Sequence, residues 1–406
     1  MSWLTGWNRR KQITVTGSTS SALSDYQMKL IVNQASGTDS AGVVNLGNNV
    51  LPSFNDLRFT KSDGSTLLNY WIESITGTTP NQIATVCTKL APSPDTIPTS
   101  PGTYNFYVYY SNSGASVASN GTNTFIAYTD ASDIANWLKP PDGLSGNATS
   151  VNGEISWTGS NVEMITRPIN LSGNWIIEGK FREVYGSQPS INVIIGNGTT
   201  SILATNRNIQ LYRSKGTSIW ASSPGGAIYS SYTQNTYYIF KEVRRNTSLY
   251  DHYIYDANRN LLGSLIGTSG GNADPTTSIQ ITPGANNNVW FYSQWIFVRK
   301  YASPEPTWLT TGTEEQGIIV TDMTHSISSP CTEGTCIVSL TITWQNNGVS
   351  TSTITPNISI DGTPLTPAPY PSQSIGPYPD IVTKTFIVEG LTVIGSPHMI
   401  CAYTTT

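Results

Sequence analysis

Phe291–Thr307 reads FYSQWIFVRKYASPEPT, and the fold is decided there. Aromatic and β-branched residues make a short strand that runs into Arg299-Lys300-Tyr301. It stops at Ser303-Pro304-Glu305-Pro306, because proline has no N–H to give a ladder and two so close together end any strand. A compact β-domain is therefore expected to end at this point. Elsewhere almost every periodic segment alternates in steps of two, without an amphipathic helix of normal length. The expected fold class is all-β, built as three consecutive β-sandwich domains.

Upstream of that stretch, strands are expected at Glu154–Thr158, Trp175–Arg182, Ile191–Ile195, Ile209–Arg213, Tyr237–Arg244, Tyr250–Tyr255 and Ser278–Thr282. Joined by Gly/Ser/Asn turns, they suit a two-sheet jelly roll over residues 130–306. Before them, Gln12–Thr16, Tyr26–Val32, Leu57–Thr60, Leu67–Glu73, Ile83–Leu90 and Tyr104–Tyr110 give a first sandwich over 1–129. Its hairpin turn is Ser62-Asp63-Gly64-Ser65. After the prolines, 307–317 reads as a linker and 318–406 as about seven short strands of an immunoglobulin-like sandwich. The clearest of these is Ile337–Trp344. Thr363–Pro379 is proline-rich, with Tyr370 and Tyr378, and reads as an extended polyproline-II-like loop.

Charged residues are only 11% of the 406, less than half of the roughly 25% usual in globular proteins. Ser, Thr, Asn, Gly and Tyr replace them, and 10% of the chain is aromatic. A neutral hydroxyl- and amide-rich surface suits an extracellular or particle-bound setting. Lys plus Arg is 21 and Asp plus Glu is 25, a net charge of −4 with no basic block, which argues against a nucleic-acid partner. No run approaches the ~18 apolar residues of a bilayer-crossing helix, so no membrane insertion is expected. The start, MSWLTGWNRRKQITV, carries no apolar signal region. A virion protein released by lysis fits that start, and a chain already trimmed of its signal is the competing explanation.

His252, His325 and His398 lack partners at metal-ligand spacing, so no metal and no cofactor is expected. Cys331 and Cys336 flank Thr-Glu-Gly-Thr and could close a hairpin, although Cys401 could compete for either partner. Cys87, inside the apolar run Ile83–Leu90, reads as a buried free thiol. Asp256-x-Asn258-x-Asn260 begins like a calcium loop, but Leu261 stands where a Gly must turn the chain and Gly267 where a Glu belongs. A hairpin turn explains it better.

Several blocks in the first 130 residues resemble a family of domains of unknown function, number 2341. They are Trp7 with Arg10-Lys11 and Ile13, Asp56-x-Arg58-Phe59-Thr60, Leu68-x-Tyr70-Trp71-Ile72-Glu73-Ser74, Tyr107-Val108-Tyr109-Tyr110-x-Asn112, and Ser119-Asn120-Gly121 with Phe125. Cys87 stands where that pattern has Trp, and Ser111 where it has Gly. The resemblance implies a β-sandwich with no catalytic role. Arg58 and Glu73, the charged residues it singles out, are expected as a register-fixing ion pair or else as a ligand-binding pair. The FVRKYASPEP closing strand resembles concanavalin A-like (laminin-G-like) sandwiches, with Gln294 where Asp is common before the Trp. Trp344-Gln345-Asn346-Asn347-Gly348 resembles adhesion-type immunoglobulin-like modules. Together these resemblances imply a structural protein of a phage or archaeal virus.

No catalytic residue is nominated. A glycan hydrolase needs paired carboxylates across the scissile bond, and Glu154, Glu178 and Glu183 each lack an acidic residue two positions on. Sugar rings offer C–H faces to aromatic side chains, and Tyr212, Trp220, Tyr229 and Tyr232 lie in or near Ser/Gly/Asn-rich loops where such a platform could sit. Core or rim packing is the plainer reading of any one of them. The expectation is thus a non-enzymatic, homo-oligomeric protein on a virion surface or otherwise extracellular. It would mediate attachment, with other virion or surface subunits and a host-surface glycan as partners. The alternative is a purely structural component, a capsid decoration or fibre subunit, that binds only its neighbours.

Overall fold

The structure is a computed structural model. It describes residues 3–137, 147–159, 165–185, 191–196, 211–212, 219–221, 226–269, 276–283, 289–327, 335–346, 352–360, 363–364, 373–375, 381–392 and 400–405. Strands dominate, as the period-two alternation requires, and the all-β class is observed.

The N-terminal strands are β1 (Arg9–Thr16), β2 (Tyr26–Asn33), β3 (Val43–Asn45), β4 (Arg58–Lys61), β5 (Leu67–Leu68), β6 (Tyr70–Thr76), β7 (Ile83–Leu90) and β8 (Thr103–Tyr110). The middle strands begin with β9 (Ala127–Thr129), β10 (Asn147–Val151), β11 (Glu154–Gly159), β12 (Ile165–Leu171), β13 (Trp175–Tyr185) and β14 (Ile191–Gly196). They continue with β15 (Leu211–Tyr212), β16 (Ile219–Ala221), β17 (Gly226–Tyr229), β18 (Tyr238–Arg244), β19 (Leu249–Asp256), β20 (Leu261–Ser269), β21 (Thr276–Pro283) and β22 (Val289–Lys300). Next comes β23 (Thr307–Gln316). The C-terminal set is β24 (Ile318–Ile327), β25 (Thr335–Asn346), β26 (Ser352–Ile360), β27 (Thr363–Pro364), β28 (Gln373–Ile375), β29 (Ile381–Thr392) and β30 (Ile400–Thr405).

Two N-terminal sheets, ordered β23-β1-β8-β4-β5 and β3-β2-β7-β6, close on one core that includes Val15, Leu30, Phe59, Val86 and Phe106. The expected linker is corrected here. Thr307–Gln316 is a ten-residue strand that pairs antiparallel with β1, from Arg9 opposite Gln316 to Thr16 opposite Thr307. Its Thr-rich sequence suits a half-exposed edge, and its acidic end meets the basic end of β1. Arg9 pairs with Glu314, and Arg10 lies 2.7 Å from Glu315. Trp308 anchors the strand by donating its indole N–H to the Lys29 carbonyl at 3.1 Å. After the prolines, therefore, the chain returns to complete the first sheet.

In the middle, β10-β11-β22-β13-β18-β19-β20 form the path of an eight-stranded sheet, with β9 on β22. Residues 127–129, counted from sequence with the first sandwich, thus belong to this sheet. Smaller sheets β12-β21-β14 and β15-β16-β17 accompany it. Residues directly opposite on paired strands share a face, so the large sheet has two distinct faces. One carries Ile177, Phe240, Ile254 and Val298 into the middle core. The other carries Ile239, Trp295 and Phe297 against Trp71 and Cys87 of the N-terminal sheets.

The C-terminal strands form β24-β25-β29 and β27-β26-β28 with β30 on β26. Leu340, Ile342, Trp344 and Ile375 are buried there, and the Asn346 amide bridges the two sheets by donating to the Ile375 carbonyl at 3.2 Å. Cys331, Asp361-Gly362 and most of the proline-rich loop lie outside the described residues, so the Cys331–Cys336 pairing does too. Cys336 itself stands opposite Leu391 in the β25–β29 register.

Candidate functional site

The four nominated aromatics separate into two pairs. Tyr212 and Trp220 face each other directly in the β15–β16 register. Tyr229 and Tyr232 are half-buried and both pack on Tyr238, with ring centroids 6.0 and 5.1 Å from it. Since Tyr238 belongs to the middle core, Tyr229 and Tyr232 extend that core to its rim.

The richest chemistry lies at the junction between the N-terminal sheets and the large middle sheet. Trp71 is its hub, edge-on to Phe125, Tyr128, Trp295 and Phe297 at centroid distances of 5.4, 5.3, 5.5 and 5.7 Å. Phe125 stacks on Phe297 at 4.1 Å. Edge-to-face and offset contacts of this kind add to the apolar burial itself. Cys87 sits in the same cluster as a buried free thiol, its pKa pushed up to about 12 by burial, which makes it inert.

Charge is buried beside these rings. Asp256 accepts the backbone N–H groups of Asn258 and Asn260 and the Asn260 amide, shaping the β19–β20 turn. The calcium-like pattern is thus a hairpin turn, and it lifts Arg259 to its tip at φ +66°. From there Arg259 reaches across the junction. Its Nε and Nη2 donate to the two Glu73 carboxylate oxygens at 2.6 Å each, and its Nη1 donates to Glu178 at 2.6 Å. Burial alone would raise the Glu178 pKa, but the adjacent guanidinium holds it well below the usual carboxylate range. The expected Arg58–Glu73 pair is corrected accordingly. Arg58 donates instead to the Asn55, Leu57 and Ser116 carbonyls and lies over the Trp7 ring. Glu73 is the extra residue of a β-bulge, because Ile72 faces Val86 while Ser74 faces Thr85. A bulge re-aims its side chain, here toward Arg259.

A second polar seam runs alongside. The Lys300 backbone N–H donates to the Gln27 side chain at 3.1 Å, and the Lys300 ammonium to the Ser24 carbonyl at 2.6 Å. Tyr26 donates to Glu305 at 2.8 Å, while Arg299 pairs with the same carboxylate.

Between the units opens a shallow cleft of about 350 Å³, lined by Trp71, Ile72, Glu73, Tyr128, Asp130, Ala131, Ser132, Gly153, Gln294 and Trp295. Asp130 accepts the Tyr128 hydroxyl at 3.2 Å and the Ser132 backbone N–H and hydroxyl at 2.8 and 2.6 Å. Gln294 is the extra residue of a second bulge, since Trp295 faces Lys180 while Ser293 faces Phe181.

On the opposite face of the same sheet lie Glu242 and His252, directly opposite each other. His252 Nδ1 is 3.0 Å from Glu242 Oε2, a close contact rather than a well-aligned hydrogen bond. His252 Nε2 lies 2.9 Å from the Thr268 hydroxyl. Burial pushes the Glu242 pKa up to about 7 against the opposing pull of His252. Among the described residues no three His, Cys, Asp or Glu side chains converge to hold a metal.

Sequence reasoning does not nominate Glu178, Arg259, Asp130 or Gln294 as site residues. For Arg259 a signal exists: a lone cation between the turn-forming Asp256 and Asn260 has to point somewhere. Glu178 depends on a contact between strands far apart in sequence, Gln294 on a bulge, and Asp130 on the cleft that opens beside its local turn.

Residues 53–139 match the family model of a domain of unknown function, DUF2341. The Gly usual at position 111 has a physical reason, because Ser111 adopts φ +67°, a conformation that favours glycine. Asp56 holds it there by accepting the Ser111 N–H at 2.8 Å. No curated protein matches the chain. Among solved structures, a protein of unknown function from Shewanella oneidensis MR-1 is similar at 15% identity, over 43% of this chain and 85% of its own, with a TM-score of 0.33. An endo-β-1,4-glucuronan lyase from the fungus Trichoderma reesei is similar at 7% identity, over 44% and 96%, with a TM-score of 0.30. Neither likeness bears on activity.

Proposed function

We propose that this is a non-enzymatic attachment protein displayed on a virion or cell surface, with glycan as its ligand. The junction carries the reading. Rings and charges buried together bind two sandwiches into one stiff body, and its carboxylates are committed to protein donors. General acid–base work needs a carboxyl free to exchange a proton within reach of substrate. Glu73 and Glu178 are held by Arg259. Glu242, whose pKa suits such work, is only 1% exposed inside the middle core. The low-charge, hydroxyl- and amide-rich composition supports display outside the cell. A glycan-array screen of the intact protein beside Trp220→Ala tests this. Reproducible sugar hits are expected; their loss in the variant would put the contact at Trp220. Absence of any hit would contradict attachment through glycans.

A second reading, a structural component that binds only copies of itself, is favoured by one observation. Among the described residues strand β20 ends the large sheet, it carries no charged residue, and Leu261 and Ile266 are 56% and 57% exposed on it. An apolar edge of that kind suits strand addition. Under this reading sedimentation shows an oligomer that Ile266→Lys dissociates, and a monomeric wild type would remove it.

A further inference from the structure

We infer that the cleft at the junction is a binding site for a single neutral sugar residue; the inference rests on the attachment reading and gives it a location and a ligand class. Its construction is the first argument. Glu73 in β6 and Gln294 in β22 are each the extra residue of a β-bulge, in strands that belong to different units, and both bulges open on the same cleft. Bulges interrupt a ladder at a cost in pairing, and they cluster where a side chain has to be re-aimed.

The polar groups of the cleft differ in what they leave free for a ligand. Both Glu73 oxygens accept from Arg259, and Asp130 accepts from Tyr128 and Ser132. These carboxylates frame the cleft without an idle proton acceptor of the kind hydrolysis needs. Gln294, only half-buried, has no side-chain partner among the described residues. A primary amide offers a donor and an acceptor side by side, which matches two adjacent sugar hydroxyls. Trp71, Tyr128 and Trp295 supply an apolar floor for the ring C–H groups.

Charge and size select the class. The charged side chains that line the cleft are the carboxylates Glu73 and Asp130, with the cations Arg259 and Lys180 behind them rather than in the lining, so a uronic or sialic carboxylate would meet like charge first. About 350 Å³ is at the small end of ligand pockets, which run from roughly 300 to 1,000 Å³. The entrance stays clear at Gly153, which has φ +79° and nothing within 4 Å of where a Cβ would lie.

The test titrates the full chain with methyl glycosides of glucose, galactose, mannose and N-acetylglucosamine. Glucuronic acid and N-acetylneuraminic acid serve as anionic comparisons. Tryptophan fluorescence and saturation-transfer NMR provide the readouts. One neutral glycoside should bind. Gln294→Ala and the rim-blocking Ser132→Trp should each weaken it at least about tenfold, the loss of a bonded polar contact, and Leu309→Ala, on the exposed strand β23 outside the cleft, should leave it unchanged. Binding that survives both cleft variants would overturn the cleft assignment while leaving attachment standing. Tighter binding of either acid would overturn the ligand class. Absence of binding by every probe would overturn the inference and, if the glycan array is also blank, the attachment reading with it.

Discussion

Glu178 and Glu242 stand on neighbouring strands of one sheet, both almost fully buried, and their acidities are driven in opposite directions. Glu178 faces the N-terminal sheets, where Arg259 supplies a permanent cation at 2.6 Å. Glu242 faces the middle core, where no guanidinium contacts it among the described residues and the side chain beside it is the His252 imidazole. Arg244, two positions along that face, donates instead to the Gly173 carbonyl at 2.9 Å, and Asp251 adds a further upward push on Glu242. Burial is common to both carboxylates, so it cannot decide the outcome. A fixed positive charge with aligned hydrogen bonds does. The face that joins the units carries that charge, which is what a permanent connection requires.

The largest effect is expected from Arg259→Leu. Two carboxylates would then be buried without a partner, and a loss of about 3–5 kcal/mol is expected in denaturant unfolding. Adding Glu73→Gln and Glu178→Gln should recover most of it, because the penalty lies in the uncompensated charge rather than in lost packing. A triple variant no better than the single one would reject that account.

Next in size is the pH dependence. The folded-state pKa of Glu242 is raised from 4.5 to about 7, so its stability contribution is whole below pH 4.5 and is lost as pH rises to about 7. Glu178, held low, has the opposite sign: its contribution is present above pH 4.5 and is lost as pH falls. Glu242→Gln should therefore stabilise the protein at pH 8 by up to about 3 kcal/mol, the equivalent of the shift, and should change little at pH 4. Equal effects at both pH values would contradict this. The smallest effect is expected from Asp256→Ala, which loosens the turn that presents Arg259. It should cost about 1–2 kcal/mol and raise hydrogen exchange at the β19–β20 tip before anywhere else.

Strands are legible in the sequence because alternation and β-branching act locally. Trp175–Arg182 is read from that pattern and observed as Trp175–Tyr185, and Ile83–Leu90 is observed unchanged. Strand β23 is not legible as part of the first sheet, because its partner β1 lies some 300 residues earlier. Its Gly312 and its acidic end read as solvated linker, although Arg9-Arg10-Lys11 opposite Glu314-Glu315 is a complementarity that sequence does hold. The junction residues are hidden for a related reason. Alternation assigns one face per position, whereas Glu73 and Gln294 depart from it at bulges, and no local pattern joins Glu73 to Arg259, 186 residues away. Tyr229 and Tyr232 illustrate the opposite limit: aromatic residues near a polar loop look alike whether they face a ligand or, as here, a core tyrosine.

Native-state hydrogen exchange of the full chain shows whether the N-terminal sheets and the large middle sheet form one body clasped by Arg259. Amides of β6–β7 and β18–β19 should open together with one free energy in the wild type and separate in Arg259→Leu. Independent opening of the two sets in the wild type would contradict it.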